Sequence, residues 1–178
     1  MMVKDADSDN WLGGKNLDET IVDQIIIPYL QKEYHIESIL NNPDKREILR
    51  NGLKHFAEDA KNQMSFKDTY NIISNIGDLP FEDENGEEPE IDVVLTQKDM
   101  NRILSPIFQK AINITKDLLQ RNNLKGSDLE ELVLVGGPTH SPILRRMLWE
   151  QITENINTSV DPMTAIAQGA AIYASSLD

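Results

Sequence analysis

Apolar residues recur at helical spacing early in the chain. Leu17, Ile21 and Ile25, with Val22, Ile26 and Leu30 beside them, predict a helix from Leu17 to Tyr34. Asn16 stands at its start with Glu19 three residues on, the pattern of a capping box. Pro28 falls inside the helix and predicts a bend or a lost hydrogen bond. A second helix opens at Asn42-Pro43, a cap followed by proline at the first helical position. Its buried stripe is expected at Leu49, Leu53, Phe56, Ala60 and Met64.

The period then changes to two. Tyr70, Ile72 and Ser74 alternate with Asn71, Ile73 and Asn75; further on, Ile91, Val93 and Leu95 alternate with Asp92 and Val94. These segments predict two strands. The acidic stretch Glu82-Asp83-Glu84-Asn85-Gly86-Glu87-Glu88-Pro89-Glu90 falls between them, at a hairpin tip. A solvated loop that keeps a sheet edge soluble is the preferred reading, ahead of a docking site for a basic partner.

Thr96 caps a long helix carrying Met100, Ile103, Leu104, Ile107, Phe108, Ala111 and Leu118, which ends near Asn122-Asn123 before a turn with Gly126. Leu132-Val133-Leu134-Val135 is an unbroken apolar run, expected to be a strand covered on both faces in an α/β sheet. Ser141-Pro142 opens a helix through Trp149, and Asp161-Pro162 opens the last one, to about Ala174. This order divides the chain into a unit of residues 15–104 and a second unit of 105–178, joined by the piece 1–14. The first residues read as starting within a strand of a longer protein.

Composition narrows the chemistry. Lys and Arg total 17 against 30 Asp and Glu, a net charge of -13, which disfavours nucleic acid and anionic membrane surfaces as partners. An anionic ligand such as ATP therefore needs donors placed locally. With no cysteine, disulfides, thiolate metal sites and a cysteine nucleophile are excluded, in keeping with a reducing cytoplasm. The densest apolar run, Ile25-Ile26-Ile27, is far too short to cross a bilayer. The polar, acidic start shows no secretory signal. His35 and His55 read as surface or boundary residues, Trp11 and Trp149 as core or subdomain-contact residues, and no spacing suggests a metal site.

Three places carry possible chemistry. After the apolar run come Gly136-Gly137-Pro138-Thr139-His140-Ser141-Pro142. Glycines there let backbone lie against a ligand, and the following helix start offers N–H donors, although a Gly-Gly turn can equally well only end a strand. On the second helix Glu58, Lys61, Asn62 and Ser65 share one face, where they could contact a ribose and a base edge or simply form the polar side of an amphipathic helix. The third place is Leu12-Gly13-Gly14-Lys15, a turn feeding a helix.

These stretches, in this order, resemble the ATPase domain of the seventy-kilodalton heat-shock (DnaK-type) chaperone family. Leu12-Gly13-Gly14 is similar to the turn that opens the family's lid subdomain, and Glu58-Asp59-Ala60-Lys61-Asn62-Gln63-Met64-Ser65 resembles its adenosine-gripping helix. Val133-Leu134-Val135-Gly136-Gly137-Pro138-Thr139 looks like its adenosine loop, and Asp161-Pro162-Met163-Thr164-Ala165-Ile166-Ala167-Gln168-Gly169-Ala170-Ala171 like its closing signature. The resemblance implies an α/β fold of the actin-like ATPase (ribonuclease H-like) superfamily. The chain would be most of its second lobe: a sheet packed with helices (1–14 and 105–178) plus a helical-and-strand lid (15–104). It implies ATP or ADP as ligand, with magnesium held mainly by the first lobe. Gly136 and Gly137 would pack under the adenosine beside Pro138 and His140. Glu58 and Lys61 would bond the ribose, Ser65 would reach the base, and Gly14 would lie near the sugar or phosphates.

Asn62 and His140 stand where family members often carry arginines that stack on adenine, Met163 where an acidic residue is usual, and Lys15-Asn16 in place of an acidic pair. The family's phosphate loops and catalytic lysine have no counterpart here, so no ATP hydrolysis is expected of the chain alone. Implied partners are the first lobe and the peptide-binding domain of the same protein, a J-domain co-chaperone, a nucleotide exchange factor and unfolded clients. The weighed alternatives are a lobe of another actin-like ATPase, of sugar-kinase or filament type, and a non-enzymatic interaction module that has lost nucleotide.

Overall fold

The computed structural model describes residues 3–9, 13–157, 159–161 and 163–175. Its residues group into two compact units, one of Lys15–Leu104 and one joining the N-terminal piece to the chain from Ser105 onward.

In the Lys15–Leu104 unit, helical backbone runs from α1 (Gly14–Ile21) through a π turn (Val22–Ile26) into α2 (Ile27–Glu33). Pro28 explains the π turn. It has no N–H, and its ring would crowd the carbonyl four residues back. The Ile27 N–H instead reaches five residues back to the Val22 carbonyl, so Pro28 sits in the first turn of a new α segment, where the missing donor costs nothing. The expected capping box is displaced. Helix begins at Gly14, so Asn16 lies inside it and its carbonyl accepts from Thr20 Oγ1 at 2.7 Å. A short α3 (Glu37–Leu40), which the pattern did not predict, buries Ile39.

Asn42 caps α4 (Pro43–Met64) as expected, its side chain accepting from the Lys45 N–H at 3.1 Å. The buried stripe is Leu49, Leu53, Ala57, Ala60 and Met64; Phe56 is only half-buried, because Ala57 takes the inward position. This stripe packs on the π turn and on β1 (Thr69–Ile73), which pairs antiparallel with β2 (Asp92–Thr96) in the register Tyr70↔Leu95 and Ile72↔Val93.

The acidic loop is not a freely solvated tip. Asp83 is buried, and its carboxylate accepts from the backbone N–H groups of His35 (3.1 Å), Asn85 (2.8 Å) and Glu87 (2.9 Å). Glu84 Oε1 accepts from the Ser38 N–H at 2.8 Å. The loop is thus sewn to His35, between α2 and α3, and to the first turn of α3; the buried Asp83 carboxylate must find donors, and backbone supplies them.

Thr96 and Asp99 cap α5 (Gln97–Arg121) reciprocally: the Asp99 N–H donates to Thr96 Oγ1 at 3.2 Å and the Thr96 N–H to Asp99 Oδ2 at 3.1 Å. The helix ends with Asn123 at φ 55°, the Leu124 N–H reaching the Leu119 carbonyl and the Asn123 N–H the Gln120 carbonyl.

In the second unit β3 (Leu132–Val133) pairs parallel with β4 (Ile156–Asn157). The fully covered strand expected at Leu132–Val135 is not what forms. Leu134 is buried, but Val133 and Val135 are 47% and 45% exposed. Among the described residues regular strand covers Leu132 and Val133 and pairs with β4 alone, so alternate residues turn outward. α6 (Pro142–Gln151) buries Ile143, Leu144, Met147 and Leu148, leaving Trp149 exposed rather than in a core; Trp11 lies outside the described residues. α7 (Ala165–Ser175) exposes Ile166, Ile172 and Tyr173, and Pro162 before it lies outside the described residues.

Residues 3–9 form no strand, contrary to expectation. Side chains hold them instead: Arg121 Nε donates to Asp5 Oδ2 at 2.7 Å and Nη1 to Asp7 Oδ2 at 2.8 Å. The guanidinium holds the Asp5 carboxyl well below the usual carboxylate range. No helix among the described residues is long and apolar enough to cross a membrane.

Two outcomes are expected. A Cβ on Gly126 would lie 1.6 Å from the Ile152 carbonyl oxygen, so Gly126→Ala must push two backbones apart and destabilise by about 1–3 kcal/mol in thermal unfolding. The three backbone donors, that of Glu87 foremost, lower the Asp83 pKa against its desolvation. A lowered folded-state value adds stability above the ordinary carboxylate range, and that stability is lost as pH falls through the lowered value. The gap in urea midpoint between wild type and Asp83→Ala is therefore widest at neutral pH and narrows on acidification.

Candidate functional site

The Gly-Gly loop follows β3 within two residues. Gly136 has φ 91° and ψ 156°, backbone that in practice only glycine adopts. Thr139 fixes it by donating to the Gly136 carbonyl from Oγ1 at 2.6 Å and from its N–H at 3.1 Å. Arg145 of α6 holds the far side, Nε donating to the Thr139 carbonyl at 2.7 Å. Gly137, by contrast, is open: an added Cβ would find only Met163 Sδ, at 3.9 Å. The result is a braced loop with a bare backbone face, flanked by half-buried Pro138 and His140. A planar or apolar group can lie flat on such a face. The donors expected at the next helix start are partly used, since Pro142 has none and the Ser141 N–H donates to the Pro138 carbonyl at 3.1 Å.

The second set lies on α4 in the Lys15–Leu104 unit. Glu58, Lys61 and Asn62 fall on one face of the helix, and Ser65, its C-cap, continues that face. Glu58 and Asn62 are exposed. Lys61 is half-buried, with Nζ 2.7 Å from Asp18 Oδ1. Ser65 Oγ donates to the Lys61 carbonyl at 3.1 Å. The arrangement offers an acceptor at Glu58 and a held cation at Lys61 within one helical turn. Gly14, the remaining predicted residue, opens α1, the helix that carries Asp18.

Asp18 was not singled out from the sequence, although a signal is there. It lies at i, i+4 and i+7 with Val22 and Ile25, a carboxylate on an apolar face that must find a partner when buried. Two more ion pairs tie α4 to α1 and the π turn, Lys54–Glu19 at 3.3 Å and Arg50–Asp23 at 2.8 Å. Among the described residues no three histidine or carboxylate side chains gather into a metal-holding group.

The contrast between the two glycines is testable. Gly136→Ala is expected to cost about 1–3 kcal/mol of stability because an L side chain resists that φ. Gly137→Ala has room for its methyl and should leave the urea midpoint nearly unchanged.

Comparison with known proteins bears on this geometry. The sequence profile of a family described as "Hsp70 protein" matches residues 1–178. The chain is 28% identical over 174 residues to the "Chaperone protein DnaK" of Nitrosopumilus maritimus, covering 97% of this chain and 26% of that protein. It is 31% identical over 173 residues to the "Chaperone protein DnaK" of Thermoplasma volcanium, again 97% of this chain and 26% of that protein. A "Mitochondrial-type heat shock protein 70" of Encephalitozoon hellem is 29% identical over 171 residues, 96% of this chain and 27% of that protein. The chain thus spans about a quarter of the length of the curated relatives it matches.

Proposed function

The chain belongs to the Hsp70 family, and from that premise we propose that it forms the adenosine-contacting half of a chaperone ATPase domain, of actin-like second-lobe type. In this reading residues 1–14 and 105–178 are the adenosine scaffold and residues 15–104 a mobile lid. Gly136 and Gly137 lie under the adenosine, next to Pro138 and His140. Glu58 accepts from a ribose hydroxyl and Lys61 donates to one; Ser65 reaches the base, Asn62 lies at its edge, and Gly14 is near the sugar or phosphates.

The observation that carries the reading is the Gly136-Gly137 loop. Its first glycine holds a backbone conformation closed to other residues, and its second presents an uncovered face. Both features leave backbone free for the close approach of a ligand.

ATP and ADP are the proposed ligands. Magnesium would neutralise phosphate charge, and in this reading its ligands come mainly from the first lobe. The proposed setting is a cytoplasmic chaperone cycle. It would involve the peptide-binding domain, a J-domain co-chaperone, an exchange factor and unfolded clients.

The test is titration of ADP into the isotope-labelled protein, followed by amide NMR. The expected result is saturable shifts at Gly136, Gly137, Lys61 and Ser65, with those at Gly136 abolished in Gly137→Trp, whose indole fills the open face. Shifts that avoid these amides, or none at all, would overturn the reading and favour an interaction module without nucleotide.

A further inference from the structure

We infer that Asp18 is a positioning residue: it holds the Lys61 ammonium in place for a ligand bearing vicinal hydroxyls and so sets a preference for ribose over deoxyribose. This rests on the reading of Lys61 as a ribose contact.

The argument begins with burial. Asp18 is 8% exposed, beside Leu17, Ile21 and Val22 in sequence, all buried. A carboxylate there is costly unless paired, and its partner is Lys61 at 2.7 Å, with the two side chains 12% and 17% exposed. The other two ion pairs made by α4 are more open to solvent, so the shielded one is the pair at the candidate face.

Geometry sets what the pair can do. Lys61 Nζ lies 2.7 Å from Asp18 Oδ1 as an ion pair without the angle of a hydrogen bond, so charge holds the ammonium while its N–H donors remain for a ligand. Ser65 Oγ braces the Lys61 backbone carbonyl, and Glu58 stands one turn back as an exposed acceptor. A donor and an acceptor side by side match two neighbouring hydroxyls, each of which can both give and receive a hydrogen bond.

Lysine has a long flexible stem, and ordering it on binding costs rotamer freedom. Asp18 takes up that ordering before the ligand arrives. Without its charge, the ammonium is left half-buried and unpaired, and it turns toward solvent.

Calorimetry on the intact protein with ADP, 2′-deoxy-ADP and 3′-deoxy-ADP tests this, with thermal unfolding run in parallel. In wild type, loss of the hydroxyl that faces Lys61 should weaken binding roughly tenfold, the scale of a hydrogen bond to a charged group. Asp18→Asn should bring that ratio close to one, Lys61→Ala should do the same, and the double variant should add nothing further. Asp18→Glu, which restores the charge, should recover part of the ratio.

Asp18→Asn that is less stable yet keeps the wild-type ratio would mean Asp18 only supports the fold, and overturns the inference. If Asp18→Asn fails to fold, Asp18→Glu decides: a ratio no better than that of Lys61→Ala, in a folded protein, overturns it as well. A wild type that binds ADP without distinguishing the deoxy forms refutes the ribose role of Lys61 and this inference with it. A wild type that does not bind ADP refutes the nucleotide reading itself, so the two failures are told apart.

Discussion

The buried row along α4 is the constraint on which the Lys15–Leu104 unit depends. Leu49, Leu53, Ala57, Ala60 and Met64 face inward, and two of the five are alanines. Small side chains let the helix approach the π turn and β1 closely, as dense packing requires. Once that row is committed to the core, the rotation of the helix is set. Glu58 and Asn62 then face outward and Lys61 falls at the edge of the packed face, close to Glu58 because three and four residues are near one turn.

The second unit uses backbone contact where the first uses side chains. Gly126 lies so near the Ile152 carbonyl that no Cβ fits between them, which ties the turn after α5 to the end of α6. α6 in turn reaches the glycine loop through Arg145 and the Thr139 carbonyl. The unusual backbone of Gly136 is therefore held from both sides, by Thr139 within the loop and by α6 beyond it. Strained or glycine-only conformations persist where the surroundings over-determine them, and these contacts supply that surplus.

A net charge of -13 alone points to acidic residues that serve as a solvated surface. Several do not. Asp83 gathers three backbone donors, Asp18 faces Lys61, and Asp5 and Asp7 clasp Arg121. Each is placed by the need of a desolvated or closely approached carboxylate for donors. The exposed Arg121 cluster is screened by water and contributes little to stability, whereas the shielded Asp18–Lys61 pair cannot lose one partner cheaply.

The sequence by itself determined the elements governed by near neighbours. The Asn42-Pro43 cap, the Thr96 start of α5, the alternation that made β1 and β2, and the glycine pair after β3 all rest on contacts within a few residues, so periodicity and cap chemistry reveal them. The family resemblance was legible for a similar reason, being carried by short motifs in order. Tertiary structure decided the rest. Asp83 meets His35 across 48 positions and Lys61 meets Asp18 from another helix, so no local pattern could tell that one acid would turn inward and the other would hold a cation. The π turn before Pro28 and the outward Val133 and Val135 follow the same rule. Hydrophobicity says that a side chain gains from burial, but which face is covered depends on what packs against it, and that is a property of the folded chain.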